Sequence, residues 1–127
     1  MSLAFNKGLA GAPAAAVETA RNTAINPDAV DAFALAISAF SGPPAFPGLP
    51  APDLARGAVI RDRVQSAIAA LRTAAPEAGA YVNECDYFHP DWQKAFWGPN
   101  YTRLTEVKRR YDPDGLFTVH HGVGSDA

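Results

Sequence analysis

The chain has 127 residues, of which 48% are hydrophobic and 19% are charged, and its formal net charge at pH 7 is −2. This length suits one domain, and the near-neutral charge gives no basic footprint of the kind that binds nucleic acid or an anionic membrane. No apolar run approaches the roughly 20 residues that a membrane-spanning helix needs. The single cysteine, Cys85, excludes an internal disulfide.

The first half of the chain predicts two helices and a stiff connector. Residues 13–21 fit a short helix. A second helix is predicted over residues 27–40, because Asn26 suits the N-cap and Pro27 the first helical position. Its apolar face is formed by residues at helical spacing, namely Val30, Phe33, Ile37 and Phe40. Residues 41–53 contain five of the eleven prolines, which favour an extended connector.

The longest predicted helix begins after an Asp53 cap and ends before Pro76 and Gly79. Its apolar stripe consists of Ile60, Val64, Ala67, Ile68 and Leu71. Residues 80–88, AYVNECDYF, alternate in the manner of a strand, and a weaker strand is predicted over residues 116–122. One strand cannot form a sheet, so the strand at 80–88 has no evident partner.

Short elements fill the region between these strands. Asp91 suits the cap of a short helix that runs through Trp97, and a further helix is predicted over residues 100–111. The apolar face of that helix consists of Tyr101, Leu104, Val107 and Tyr111. The sequence DPDG at residues 112–115 is typical of a turn. Together these patterns predict an α+β chain that is mostly helical, with one or two short strands.

Polar and acidic residues cluster on the predicted strand, namely Tyr81, Asn83, Glu84 and Asp86. A carboxylate beside aromatic side chains gains basicity when burial raises its pKa, and it then serves as a general base. The competing interpretation is a solvent-facing carboxylate on an edge strand, which the spacing alone favours. On the residues alone, both interpretations stay open.

Three other patterns favour structural roles. His120 and His121 are adjacent, so in a strand they point to opposite faces, and with His89 they predict no metal site. The sequence GVGS at residues 122–125 lacks a following helix and is typical of a glycine-rich turn. Cys85 has no basic partner at a recognisable spacing, which favours a half-buried thiol over a nucleophile.

A set of motifs between residues 81 and 117 occurs in a recognisable order. It comprises Y-x-N at 81–83, Trp92, W-G-x-N-Y at 97–101, R-L at 103–104, K-x-x-Y-D-P at 108–113 and L-F at 116–117. The ordered set resembles the C-terminal module, or berberine bridge domain, of the berberine bridge enzyme-like FAD-linked oxidoreductases. Residues 23–50 resemble the region that precedes this module, less strongly.

The resemblance implies an enzyme with two parts. In the family, an N-terminal α+β domain binds FAD, an antiparallel sheet covers the flavin, and the C-terminal module adds the last strand to that sheet. The strand at 80–88 would then find its partners outside this chain. On this basis we expect residues 1–52 to form a helical segment with its connector and residues 53–127 to form the berberine bridge-like module, as one structural unit overall.

The resemblance also implies roles for individual residues. Glu84 occupies a position at which the family often has a tyrosine general base, so it would abstract a proton while hydride passes to flavin N5. Tyr81 would orient the substrate, and a carboxylate in place of the tyrosine argues against a carbohydrate substrate. The residues that match flavin-approaching positions are Asn83, Asn100 and Tyr101. No pyrophosphate-binding loop is matched, so we expect this chain alone not to retain FAD.

Two functional interpretations follow. The first is the C-terminal part of an FAD-linked oxidoreductase, inactive alone, whose partners are a separate FAD-binding domain and a small-molecule substrate. The second is a non-enzymatic helical interaction or scaffold module, in which exposed aromatic residues lead to homo-oligomers. Neither nucleic acid nor a membrane is predicted as a partner. The localisation is left open, with the cytoplasm slightly favoured.

Overall fold

The computed structural model describes residues 1–6 and 8–125, and it is mostly helical with one two-stranded antiparallel sheet. The strands are β1, Ser2–Phe5, and β2, Ala34–Ile37. The helices are α1, Ala14–Arg21; α2, Asp28–Asp31; α3, Leu54–Ala74; α4, Trp92–Trp97; and α5, Tyr101–Tyr111. Two 3-10 turns cover Val82–Glu84 and Gly98–Asn100. The predicted α+β, mainly helical class is therefore confirmed. None of the helices in the described part of the chain is long and apolar enough to cross a bilayer.

Two compact units interleave along the chain. Unit 1 comprises Met1–Phe5 with Ala34–Glu77, and unit 2 comprises Asn6–Phe33 with the segment from Ala78 onward. The domain boundary at residue 52 that the sequence suggested stays a prediction.

Unit 1 consists of the sheet and the longest helix. Strands β1 and β2 pair so that Ser2 faces Ile37 and Phe5 faces Ala34. Helix α3 begins where its cap predicts, because the Asp53 side chain accepts a hydrogen bond of 2.9 Å from the backbone N–H of Arg56. The five residues of its predicted apolar stripe are partly buried, while most of the remaining helix surface is exposed. The predicted long helix is confirmed.

The predicted helix over residues 27–40 is wrong beyond its first turn. Helix α2 ends at Asp31, and the chain turns extended at Ala32, with φ −65° and ψ 127°. Residues Ala34–Ile37 then pair with the N-terminal strand. A short apolar run fits a helix or a strand equally well, so the distant partner strand decides its conformation.

The predicted strands at 80–88 and 116–122 are also wrong, because turns occupy both segments. The Glu84 N–H bonds the Tyr81 carbonyl at 3.1 Å, and the His89 N–H bonds the Asp86 carbonyl at 3.1 Å. In a strand, residues three apart would point to opposite faces, whereas Val82 and Cys85 both pack against the same core. The apolar–polar alternation in this segment therefore reflects consecutive turns.

The core of unit 2 is small and aromatic. Its buried residues are Trp92, Ala95 and Phe96, all on α4, at the i, i+3 and i+4 spacing that places them on one helix face. The partly buried residues packed against them are Ala80, Val82, Cys85, Trp97 and Tyr101. The short helix through Trp97 is confirmed, although Asp91 makes no side-chain cap hydrogen bond. Because the core is so small, each of its members carries a large share of the packing.

Helix α5 and the turns after it form where the sequence predicts them, but half of the predicted apolar face of α5 is exposed. Tyr101 packs on the core, but Val107 and Tyr111, at the other end of the predicted face, are exposed. The predicted DPDG turn closes with a hydrogen bond of 3.2 Å from the Gly115 N–H to the Asp112 carbonyl. The predicted glycine-rich turn over residues 122–125 is likewise present.

Candidate functional site

The 82–84 turn presents three of the predicted site residues on the surface. Asn83 donates a hydrogen bond of 2.9 Å from Nδ2 to the phenolic oxygen of Tyr81, and both side chains are exposed. Glu84 is the next residue and is also exposed. Val82 and Cys85 alternate with these residues and pack on the core. The fold therefore anchors the turn from beneath and leaves a phenol, an amide and a carboxylate facing outward.

Asp86, the fourth polar residue of the predicted strand, has a local structural role. Asp86 accepts a hydrogen bond of 2.9 Å from the Phe88 N–H, two residues ahead, which is the geometry of an Asx turn. The neighbouring Cys85 thiol donates to the Val82 carbonyl at 3.2 Å, and burial raises the pKa of this thiol. A thiol that stays protonated is a poor nucleophile, which agrees with the structural role expected for Cys85.

Asn100 and Tyr101 lie at the start of α5, next to the same core. The Asn100 Nδ2 donates to the carbonyls of Ile25 and Thr23 at 2.9 and 3.1 Å. Tyr101 meets the Trp92 indole edge-on, with ring centroids 5.6 Å apart. Both residues therefore have structural partners, and their approach to a flavin stays a prediction.

The predicted Asn26 cap is wrong by one residue, because Pro27 is the N-cap of α2, and the Asn26 side chain makes other contacts. Its side chain is only 5% exposed. The Oδ1 atom accepts from the Asp28 N–H at 3.1 Å, while Nδ2 donates to the Ala95 carbonyl at 2.9 Å. The Asn-Pro pair at residues 26–27 indicates a turn. Nothing in the local pattern indicates the bond to Ala95, which is 69 residues away.

The two adjacent histidines join an aromatic stack. His120 stacks on Tyr87 with centroids 3.9 Å apart, and the rings of His120 and His121 are 3.8 Å apart. The prediction that they point to opposite faces is wrong, because His121 adopts φ +60° in a turn. Among the residues that the structure describes, no group of three or more His, Cys, Asp or Glu side chains could hold a metal ion.

His121 is, after Asn26, the second buried polar residue in the described part of the chain. It packs between Trp92 and Phe96, at centroid distances of 5.3 and 5.6 Å. Burial lowers its pKa, the neighbouring His120 lowers it further, and Asp86 acts in the opposite direction. The ring is therefore held in its neutral form at neutral pH.

An ionic clasp closes the C-terminal end of α5. The Lys108 ammonium bonds both the Asp112 carboxylate and the Phe117 carbonyl. The same carboxylate accepts from the backbone N–H groups of Leu116 and Phe117 at 2.8 and 3.0 Å. The Lys108 contact and these backbone bonds lower the pKa of Asp112. The clasp fixes the chain after the DPDG turn.

The described residues offer only a partial fit to FAD. A cavity in unit 2 has a volume of about 340 Å³, and its one acidic lining residue, Asp31, is paired with Arg21 at 2.5 Å. None of the predicted site residues lines it. The exposed turn at 82–84 fits a contact with a ring held elsewhere, whereas the Asn100 amide N–H groups already bond backbone carbonyls. Of the three predicted cofactor contacts, Asn83 is exposed and Asn100 and Tyr101 are half-buried, and their contact with a flavin stays a prediction.

Comparison with known proteins finds a family similarity in the C-terminal part of the chain. The family model described as "Berberine and berberine like" matches residues 80–124. The chain is similar to an uncharacterised FAD-linked oxidoreductase of Arthroderma benhamiae, with 53% identity over 57 residues, which are 45% of this chain and 10% of that protein. It is also 50% identical over 56 residues to the FAD-linked oxidoreductase ffsJ of Aspergillus flavipes, covering 44% of this chain and 9% of that protein.

A third relative is the VAO-type flavoprotein oxidase VAO615 of Thermothelomyces thermophilus, 45% identical over 56 residues, which are 44% of this chain and 10% of that protein. No solved structure matches the chain. The matched segments span about a tenth of the length of these curated relatives. Residues 80–124 therefore form a berberine bridge domain of the kind carried by berberine bridge enzyme-like FAD-linked oxidoreductases.

Proposed function

We propose that this chain supplies the substrate-facing part of an FAD-linked oxidoreductase, in which a separate domain holds the FAD. The observation that carries this proposal is the exposed turn at 82–84. Its phenol, amide and carboxylate face outward, while Val82 and Cys85 fix the backbone against the core. A rigid scaffold beneath exposed polar groups is the arrangement that a functional site requires.

Glu84 is the proposed proton acceptor. A carboxylate accepts a proton from a substrate hydroxyl directly, and it becomes a stronger base when a docking domain removes water from its surface. When bound, FAD would accept the hydride at N5. Exposure of Glu84 in this chain leaves its carboxylate accessible both to a docking domain and to a small-molecule substrate.

Tyr81 and Asn83 act as the proposed orienting pair. The phenolic oxygen of Tyr81 accepts the hydrogen bond from Asn83, so its own O–H hydrogen is left to donate to a substrate oxygen. The Asn83 carbonyl oxygen is directed by the same hydrogen bond and would meet the cofactor edge. Asn100 and Tyr101 would stabilise the backbone that faces the same edge of the cofactor.

A second candidate function is a non-enzymatic interaction module. The observation that favours it is the exposed apolar run after the DPDG turn, where Leu116 and Phe117 are 77% and 80% exposed. Such a surface promotes self-association when nothing covers it. Light scattering with and without an FAD-binding domain separates the two functions. A stable monomer that ignores such a domain would contradict the proposed oxidoreductase role.

The first test uses the isolated chain. We expect the purified protein to be colourless, because no described residue forms a pyrophosphate-binding loop. Stoichiometric flavin absorbance in the isolated chain would overturn the proposal that a separate domain holds the cofactor.

The second test joins this chain to the FAD-binding part of the ffsJ oxidoreductase, in place of the equivalent segment. Glu84→Gln is compared with Glu106→Gln, which removes an exposed carboxylate on α5. We expect Glu84→Gln to slow flavin reduction by a panel of alcohols by about 10²-fold or more, with flavin content unchanged. A near-normal rate of flavin reduction in Glu84→Gln would show that Glu84 is an ordinary surface carboxylate and not the proton acceptor.

A further inference from the structure

We propose that Asn26 is a positioning residue of the candidate site, which fixes the turn bearing Asn100 and Tyr101 from outside the matched family segment. The proposal deepens the proposed function and rests on it for the catalytic readout alone. Asn26 bonds the backbone groups of Ala95 and Asp28 and not the polar side chains of the 82–84 turn. Its effect on chemistry would pass through the backbone that it holds.

The Asn26 amide caps the C-terminal end of α4. The last carbonyls of a helix lack intrahelical donors, and an unsatisfied buried carbonyl is costly. Asn26 Nδ2 donates to the Ala95 carbonyl at 2.9 Å and lies 3.5 Å from the Lys94 carbonyl. Ala95 also accepts from the Ala80 N–H at 2.8 Å. The Ala95 carbonyl at the end of the core helix therefore accepts from both the buried Asn26 amide and Ala80, which leads into the 82–84 turn.

Two glycines form a slot around this amide. A Cβ added at Gly98 would lie 2.6 Å from Asn26 Oδ1, and one added at Gly79 would lie 2.8 Å from Nδ2. Gly98 also has φ +53°, a conformation that other residues rarely adopt. The absence of both side chains is thus what lets the Asn26 amide approach the helix end.

The residues beside Asn26 hold the other end of the same turn. The Asn100 side chain donates to the carbonyls of Ile25 and Thr23. Arg103 donates to the side-chain oxygen of Asn22 at 3.3 Å. Residues 22–26 therefore bond the 95–103 segment at both its ends. Loss of the Asn26 amide would free the end of α4 while the bonds of Asn100 remain.

The first experiment measures amide hydrogen exchange in the full chain. Asn26→Asp keeps the size of the side chain and the acceptor for Asp28, but it removes the donor to Ala95. We expect faster exchange over residues 95–101, by at least tenfold, with exchange in α3 unchanged. If Asn26→Asp exchanges like the parent chain over 95–101, the donor has no positioning role and the proposal fails.

The second experiment is a double-mutant cycle. It tests whether the Asn26 amide occupies the space beside Gly79, and it remains informative if Asn26→Asp is too unstable to study. Gly79→Ala should lower the thermal midpoint of the parent chain, because its Cβ would clash with the Asn26 amide. In an Asn26→Ala background the same change should have a clearly smaller effect. Equal effects in both backgrounds would show that the amide does not occupy the slot. Gly57→Ala has open space around its Cβ and should be additive with Asn26→Ala.

The third experiment reads catalysis in the joined flavoenzyme described above. We expect Asn26→Asp to lower kcat at least fivefold, with KM and flavin content within twofold of the parent. A purely structural role would reduce the amount of folded enzyme and leave the kcat of the remainder unchanged, which would overturn the proposal. If the joined enzyme is inactive even with Asn26 present, the proposed function fails, while the exchange and cycle results still decide the role of Asn26.

Discussion

The imidazole of His121 stacks on the indole of Trp92, with ring centroids 5.3 Å apart and ring planes 25° apart. His121 is only 6% exposed, and it brings the C-terminal turn onto the aromatic core of unit 2. Both tryptophans of the chain lie on α4, so tryptophan fluorescence reports on this unit. The contact links a titratable group to an optical probe.

We expect unit 2 to lose stability as the pH falls below about 6.5, the ordinary His pKa. Burial and His120 lower the pKa of His121 in the folded state, so the unfolded chain binds the proton more readily. The stability that this group contributes is fully present above the unfolded pKa and is lost as pH falls through the folded pKa. Urea midpoints from tryptophan fluorescence at pH 7.5 and 5.5 measure the loss.

His121→Phe keeps the aromatic contact and removes the titration, so it should flatten the pH dependence between these two values. Asp114→Asn, an exposed change in the DPDG turn, should leave the dependence as in the parent chain. Equal midpoints at pH 7.5 and 5.5 in the parent chain would contradict the prediction.

Phe96→Ala should destabilise unit 2 by about 3–5 kcal/mol, the usual cost of deleting a buried aromatic ring. Phe96 is 3% exposed and lies in a core of only three buried hydrophobic residues among those described. Phe117→Ala is the matched control, because that ring is 80% exposed, and it should change stability by less than about 0.5 kcal/mol. Urea unfolding compares the two. A greater loss in Phe117→Ala would show that the core has been wrongly assigned.

Asp112→Ala should release the chain after the DPDG turn. The variant removes the acceptor for the Leu116 and Phe117 N–H groups and the partner of Lys108. Hydrogen exchange at residues 116 and 117 should therefore become faster. Asp114→Ala changes an exposed acid in the same turn and should have a much smaller effect. Equal exchange rates in the two variants would show that the Asp112 contacts do not order residues 116 and 117.

Asp53→Ala should destabilise α3 by about 1 kcal/mol through loss of its N-cap hydrogen bond. The bond from the Arg56 N–H to Asp53 is 2.9 Å long. Circular dichroism should show reduced helicity and a lower thermal midpoint. Asp62→Ala removes an acid that pairs with Arg61 on the exposed helix surface, and its effect should be smaller. A larger effect from Asp62→Ala would argue against the cap.

Elements with strong local signals could be predicted from the sequence. The Asp53 cap and the Pro76 stop bracket α3, and the breaks at Gly98 and Asp112 bracket α5. The prediction of a helix over 27–40 is wrong because pairing with residues near the N-terminus stabilises β2. No local pattern specifies that partner. The prediction of a strand over 80–88 is wrong because two successive turns can give the same alternation of apolar and polar residues as a strand.

The candidate site could be predicted in part. Tyr81 and Asn83 were expected on one strand, and the structure instead joins them through a hydrogen bond beside a 3-10 turn. The roles of Glu84 and its neighbours in catalysis stay predictions. The positions of Asn26 and His121 could not be foreseen, since their burial depends on contacts with α4 that the sequence pattern does not encode.

The interleaving of the two units has a kinetic consequence. Unit 2 assembles from two segments separated by the whole stretch from Ala34 to Glu77. The bond between Asn26 and Ala95 joins residues 69 positions apart, so it forms only after the chain closes a loop that contains this stretch, and such long-range contacts slow folding. Shortening the exposed proline-rich connector should therefore speed the assembly of unit 2, because a smaller loop has less entropy to lose on closure.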